Sequence, residues 1–214
     1  MILEDNLCAI SNLNPHEIIV VDGGSEDRTE EIATGCEHVR FLRSPSRGRA
    51  VQMNAGAEIA TGDLMLFLHA DTTLPEDWYR FITASMSTPG ISGGRFRFDI
   101  SDSRRVYRWI VRGTNFRSRR LGITYGDQAI YTSREIFERV GGYEMMPIFE
   151  DSKFAERLKQ EGTFDWIDVP VVTSARRWQR HGPVRTILLT WFLRVLYILS
   201  VSPNTLTRFY GAVR

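Results

Sequence analysis

The chain has 214 residues, 43% hydrophobic and 25% charged, the values of a globular domain with a sizeable core and wrong for a disordered chain. Two cysteines, Cys8 and Cys36, are too few for a disulfide framework or a four-ligand zinc site and fit a reducing, cytoplasmic setting. No uncharged apolar run reaches the roughly 18 residues of a membrane span, no signal peptide is visible, and a net charge of +1 gives no support to nucleic-acid binding.

That small total hides an asymmetry. From Val169 to the end there are seven arginines (176, 177, 180, 185, 194, 208 and 214) and no acid, whereas residues 1–168 carry 20 basic and 26 acidic side chains. Only Lys153 and Lys159 are lysines, so the cationic surface is nearly all guanidinium, which suits phosphate or lipid head-group contact.

In chain order, Glu17–Asp22 (EIIVVD) has the apolar run of a buried parallel strand, closed by Gly23-Gly24. Ser25 and Asp27 are N-cap candidates for a helix over 26–35, and Val39–Leu42 reads as a second strand. Arg49–Ala60 is an alanine-rich helix, Asp63–His69 (DLMLFLH) a fully buried strand, and Pro75 opens the next helix. This alternation predicts an α/β fold with a parallel sheet between helices. Gly93–Ile100 alternates apolar and polar, the period of an edge or antiparallel strand with one solvated side. Helices are expected over Ser103–Arg120, Ser133–Val140, Asp151–Glu161 and Pro183–Val201, the last ended by Pro203, with a strand at Phe164–Val171.

Four places carry chemistry. Asp22 stands at the carboxyl end of a strand, where ligands bind in open α/β sheets, and Gly23 lets backbone approach closely; a turn acid capping its own loop is the other reading. His69 and Asp71 follow the strand that ends at His69. Asp71 offers a hard oxygen ligand for Mg²⁺ or Mn²⁺ bridging a diphosphate, while His69 is either a ligand or a satisfied histidine. Glu150-Asp151 at a helix start either complements the helix dipole or, beside the apolar Ile148-Phe149, supplies a general base. Arg176-Arg177-Trp178 is either a solvated basic loop or a clamp for diphosphate.

Taken together and in order, VDGGSEDRT (21–29), GRAVQMNAGAEIATGDLMLFLHADTTLP (48–75), GDQAIYTSREIFERVGGYEMMPIFED (126–151) and TSARRW (173–178) resemble the family 2 glycosyltransferases of the GT-A fold. Within them the chain is similar to a small bacterial subgroup with His-Ala-Asp in place of Asp-x-Asp. The resemblance implies a mixed sheet flanked by helices over residues 1–182 and a basic, apolar helical extension over 183–214. It implies a nucleotide-diphosphate-sugar donor, Mg²⁺ or Mn²⁺, and inverting transfer to an acceptor hydroxyl. Asp22 matches the acid that binds base or ribose, and Arg49 lies in the segment that approaches the nucleotide. Asp71 matches the metal and diphosphate ligand, with His69 replacing the first acid of that motif. Asp151 matches the catalytic base of the Glu150-Asp151 pair. Arg177-Trp178 match the end of a Gln-x-x-Arg-Trp motif, but Ser174 stands where Gln is expected, which disfavours a processive polymerase. His181 is a candidate extra metal ligand.

Family members begin with an apolar strand and Pro-x-x-Asn-Glu, whereas MILEDNLCAI looks like the helix after that loop. The expectation is a sheet lacking its first strand, either because Met1 is a misplaced start or because the strand is absent, with donor affinity and stability reduced or a partner chain in the gap. In the helix 184–201, Thr186, Thr190, Arg194 and Tyr197 form one polar stripe. This helix either lies in a membrane interface, which would fit a lipid-linked acceptor, or packs in the core or against a second copy. Competing functions are a degenerate sugar-nucleotide-binding scaffold and, less well supported for want of a glycine-rich phosphate loop, a nucleotidyltransferase.

Overall fold

The structure, a computed structural model, describes residues 2–210 of the 214; Met1 and Arg214, both named above, lie outside the described residues. From its second residue the opening segment is helical, as expected, in α1 (Ile2–Asn12). The β-branched run of β1 (Ile18–Asp22) pairs in parallel with β2 (Val39–Arg43), and α2 (Thr29–Thr34) connects them. Next comes α3 (Arg49–Ile59), which buries Ala50 and Ala57, small enough for close packing.

The remaining strands are β3 (Leu64–Phe67), β4 (Thr72–Thr73), β5 (Ile91–Ile100), β6 (Ile130–Ser133) and β7 (Thr163–Thr173), joined in one sheet of order β3-β6-β5-β7-β4. Only β5 and β7 run parallel in it, so the sheet is mixed. The helices around it are α4 (Trp78–Met86), α5 (Arg105–Leu121), α6 (Arg134–Arg139), α7 (Glu150–Glu161), α8 (Arg176–His181), α9 (Pro183–Ile198) and α10 (Pro203–Tyr210). The core on one side of β3 and β6 is aromatic: Phe67, Phe137, Tyr143 and Phe154 pack with ring centroids 4.1–6.4 Å apart.

One gap organises this fold. Each of β1 and β3 is paired along a single edge, β1 to β2 and β3 to β6. Between their other edges runs a groove of about 550 Å³, walled by Ile18–Val21 and Leu64–Leu68, with α1 (Leu3, Leu7) and α3 (Met53, Ala57) among the helices lining it. The Glu17 carboxylate reaches across its lower end, accepting from the Gly62 amide at 3.1 Å and from Thr61 Oγ1 at 3.0 Å. Both strands therefore start at the same end, and the groove opens at its upper end on Arg49, His69 and Asp71. Among the described residues no strand occupies this space.

The groove corrects one reading directly. Both apolar strands were expected to be fully buried, yet Ile18–Val21 and three of the four residues of β3 are only half-buried, because each flanks an open edge. A second correction concerns Gly93–Ile100. It is no edge strand: β5 is bonded on both sides, to β6 and β7, and is almost wholly buried. Its polar face is covered by α5, where Arg95 donates to Ser118 Oγ at 2.7 Å and to the Ser118 carbonyl at 2.8 Å, with Phe164 and Trp166 under its guanidinium. Burial pulls the Arg95 pKa down to about 10. Strand β6 was not foreseen, although Ser133 behaves as an N-cap and accepts from the Ile136 amide. Pro75 precedes a turn, and α4 begins only at Trp78. Arg176–Trp178 is helical in α8, where a loop was expected.

Single-edge pairing has a measurable consequence. Amides of β5 should exchange slowest, whereas in β1 and β3 slowly and quickly exchanging amides should alternate, because only one edge is bonded. Hydrogen exchange resolved to single amides checks this, and uniform protection along β1 and β3 would mean that the groove is filled.

Candidate active site

The upper end of the sheet gathers segments distant in sequence. Gly126–Gln128 forms a single 3₁₀ turn before β6, and α7 starts with Glu150-Asp151. The Ser174 amide donates to the Asp71 carbonyl at 2.9 Å, and Thr173 Oγ1 lies 3.0 Å from Thr72 Oγ1. Gly126 sits at the centre: a methyl built on it would overlap His69 Nε2 and come within 2.8 Å of Asp151 Oδ2. Glycine is required there because imidazole and carboxylate converge on its backbone.

The acidic pair is placed by a clamp. Asn54 on α3 donates to the Tyr143 carbonyl and accepts from the Tyr143 amide, both at 2.8 Å. Gly142, with φ of 64°, passes so near that a Cβ would stand 2.7 Å from Asn54 Oδ1. The chain then enters α7 through Phe149, a non-glycine residue at φ 67°. Glu150 and Asp151 are 1% and 3% exposed, and Arg49 from the start of α3 stands 2.5 Å from Glu150 Oε1 and 3.9 Å from Asp151 Oδ2. Burial, then the Asp151 charge, raise the Glu150 pKa against the pull of Arg49. The expected apolar wall is present: Phe149 stacks on Tyr125 and packs against Tyr197.

Two further residues belong here that sequence reading missed. Asp127 is half-buried, with its Oδ1 enclosed and lacking a hydrogen-bond partner, and burial, aided by Asp151, raises its pKa against the opposing charges of His69, Arg117 and Arg177. Arg117 on α5 is buried with its guanidinium 4.3 Å from the Tyr125 ring centroid. Burial lowers its pKa, with Arg194 adding to the effect and Tyr125 and Asp127 opposing it. The only signal for Asp127 was its place between Gly126 and Gln128 ahead of an apolar run, and for Arg117 there was none beyond a basic helix.

The other expected residues divide. Arg49, His69, Asp71 and Asp151 converge on this end of the sheet, with Arg177 close enough to Asp127 to act on its charge. Asp22 caps its own turn, accepting from the Gly24 amide at 2.9 Å and the Ser25 amide at 3.0 Å. Burial opposes its ionisation, but Ser25, Gly24 and nearby Arg43 outweigh that and hold its pKa low. Gly23 packs on the Gln52 side chain. Arg176 is exposed, and Trp178 joins a cluster with Phe98, Ile100 and Tyr107 instead of presenting a free face. His181 is the last residue of α8, and among the described residues no three histidine, cysteine or acidic side chains group into a metal site.

The raised Asp127 pKa predicts a pH dependence. The folded state keeps this proton to higher pH than the unfolded chain, so stability falls as pH rises above about 4 toward the raised value. Asp127→Asn should remove that fall, and its melting temperature relative to the parent should climb as pH rises above about 4. Parallel melting curves for the two proteins would count against an enclosed, proton-holding Asp127.

Comparison with known proteins places this geometry. The sequence model of glycosyl transferase family 2 matches residues 2–146, a stretch that stops just short of Glu150-Asp151. An uncharacterized glycosyltransferase of Escherichia coli K12, YibD, is 41% identical over 59 residues, covering 26% of this chain and 17% of that protein. The glycosyltransferase AglE of Haloferax volcanii is 30% identical over 90 residues, covering 39% of this chain and 30% of that protein. The chain thus spans less than a third of either curated relative. In structure it is similar to the mannosyltransferase PcManGT of Pyrobaculum calidifontis, solved in complex with GDP-Man and Mn²⁺, with a TM-score of 0.59 and 22% identity over 84% of this chain and 57% of that one. With the family pattern over two thirds of its length and a GT-A fold, the chain belongs to glycosyl transferase family 2.

Proposed function

We propose that the protein transfers a sugar from a nucleotide-diphosphate-sugar donor to an acceptor hydroxyl, with inversion at the anomeric carbon and with a divalent cation. The observation that carries this reading is the buried Asp151 carboxylate, set beside His69 at Gly126 with Oδ1 lacking a hydrogen-bond partner. A base must be free to accept a proton, and this oxygen is.

In the proposed step Asp151 takes the proton of the acceptor hydroxyl while its oxygen bonds to the anomeric carbon from the face opposite the diphosphate. The bond from that carbon to the diphosphate oxygen breaks, and the electron pair leaves with the nucleoside diphosphate. Arg49 holds Glu150 in place and keeps the acid pair ordered, acting as a positioning residue. Arg177, close enough to Asp127 to act on its charge, would supply positive charge to the departing diphosphate.

The donor set fits a cation that arrives with its substrate. Asp71 is half-exposed at the mouth of the groove, and among the described residues no three-ligand cluster competes with it. Mg²⁺ and Mn²⁺ keep several waters and take phosphate oxygens, so one carboxylate with His69 nearby is a sufficient protein share. When bound, the cation supplies charge stabilisation to the diphosphate. The acceptor, the sugar and the base are set by pocket contacts outside these motifs.

Two variants test the assignment. Asp151→Asn should lower kcat by about 10²–10⁴-fold and leave donor affinity unchanged in calorimetry with a panel of nucleotide diphosphates and Mn²⁺. Unchanged turnover removes Asp151 from the role. Asp71→Ala should lose the metal-dependent part of donor binding; a folded parent chain that binds no nucleotide diphosphate would favour the scaffold reading instead.

A further inference from the structure

Helix α9 is set into the fold with its polar side inward. Thr186, Leu193 and Arg194 are buried against the domain. There Thr186 Oγ1 donates to the Gly182 carbonyl at 2.8 Å, and Arg194 stands 3.6 Å from Glu156 and lies over the rings of Phe149 and Tyr197. The opposite face carries Leu188, Trp191, Phe192, Val195 and Ile198, a helical stripe left 45–65% exposed.

Helix α5 packs beside α9. Ile187 of α9 packs with Tyr107 and Ile110 of α5, so the two helices lie together. Along the outer side of α5, Arg105, Trp109, Arg112, Phe116 and Arg119 follow helical spacing and alternate cation with aromatic. Trp109 and Phe116 are 71% and 64% exposed, and the Arg112 guanidinium lies 5.6 Å from the Trp109 ring. Neither α5 nor any residue after Asp168 supplies a carboxylate.

We propose that this face docks the protein onto an anionic lipid bilayer, with α9 in the plane of the interface and the α5 arginines reaching phosphate. Contiguous apolar surface of this kind seldom stays in water, and it needs a cover. A two-fold contact with a second copy would oppose one acid-free, arginine-rich face to another, so like charges would meet. An anionic bilayer supplies both missing parts, apolar depth for Trp191 and Phe192 and negative charge for the arginines. No described helix is long and apolar enough to cross a membrane, which leaves the in-plane arrangement. The inner side of α9 packs on Ile148 and Phe149, so the docked face is one helix away from Glu150-Asp151. If the proposed transfer holds, the acceptor comes from the membrane; the docking itself does not depend on that reading.

The test uses the full chain with vesicles of phosphatidylcholine alone or mixed with phosphatidylglycerol, read by co-sedimentation and tryptophan fluorescence. Binding should require the anionic lipid, weaken with salt and shift tryptophan emission to the blue. Trp191→Ser with Phe192→Ser, and separately Arg112→Glu with Arg119→Glu, should each lower partitioning at least about tenfold. All four residues are on the surface, so melting temperatures and metal-dependent donor binding should match the parent. Absence of binding to anionic vesicles by the folded parent chain overturns the proposal. So does a dimer by light scattering that Trp191→Ser with Phe192→Ser converts to monomer while vesicle binding is missing.

Discussion

The costliest feature of this structure is the burial of the Glu150-Asp151 pair beside Asp127, whose Oδ1 is also enclosed, at one end of a sheet. Isolated ionised acids do not survive in such surroundings; they are neutralised by proton or by cation. Both remedies are present. Arg49 reaches Glu150 from the first turn of α3, and Arg117, Arg177 and His69 act on Asp127. Each cation comes from a different element, so α3, α5, α8 and the segment after β3 are all tied to the position of one acidic cluster. The aromatic wall of Tyr125 and Phe149 keeps water away from it, which is why burial dominates the pKa shifts of Asp127 and Glu150. A site held this way is expensive to assemble, but it keeps the Glu150-Asp151 pair shielded from solvent.

The groove between β1 and β3 bears on the same site from below. Glu17 ties the two strands together at their start by bonding across to Thr61 and Gly62, and α1 and α3 help to line it. The helices thus hold the two strands at a distance without backbone pairing between them. Apolar β-branched edges left open in this way invite an added strand. Because the groove ends on Arg49, His69 and Asp71, whatever fills it also borders these three residues.

The element types and the strand-end placing of His69 and Asp71 were legible in the sequence, because apolar runs and the residues that close them are local signals, while the link to Asp151 was implied only by the family resemblance. Burial was less legible. The runs EIIVVD and DLMLFLH mark apolar strands, but periodicity does not tell a strand paired on both edges from one paired on a single edge. The error on β5 was the reverse: Arg95 and Arg97 made it look like an edge, yet the Arg95 guanidinium finds its acceptors on Ser118, 23 residues away. Asp127 and Arg117 escaped for the same reason. Their significance lies in long-range placement around Tyr125 and Asp151, which no spacing in the chain records.

Helix α9 shows how a polar stripe can mislead and then inform. Thr186, Thr190, Arg194 and Tyr197 line one side of an otherwise apolar helix, and the ordinary rule would turn that side to water. Here Arg194 turns inward because Glu156 and the faces of Phe149 and Tyr197 offer it partners that water-facing positions lack. The apolar side is then left facing out by exclusion. The charge that fixes α9 against the acidic site is therefore the same charge that leaves Trp191 and Phe192 on the outer face.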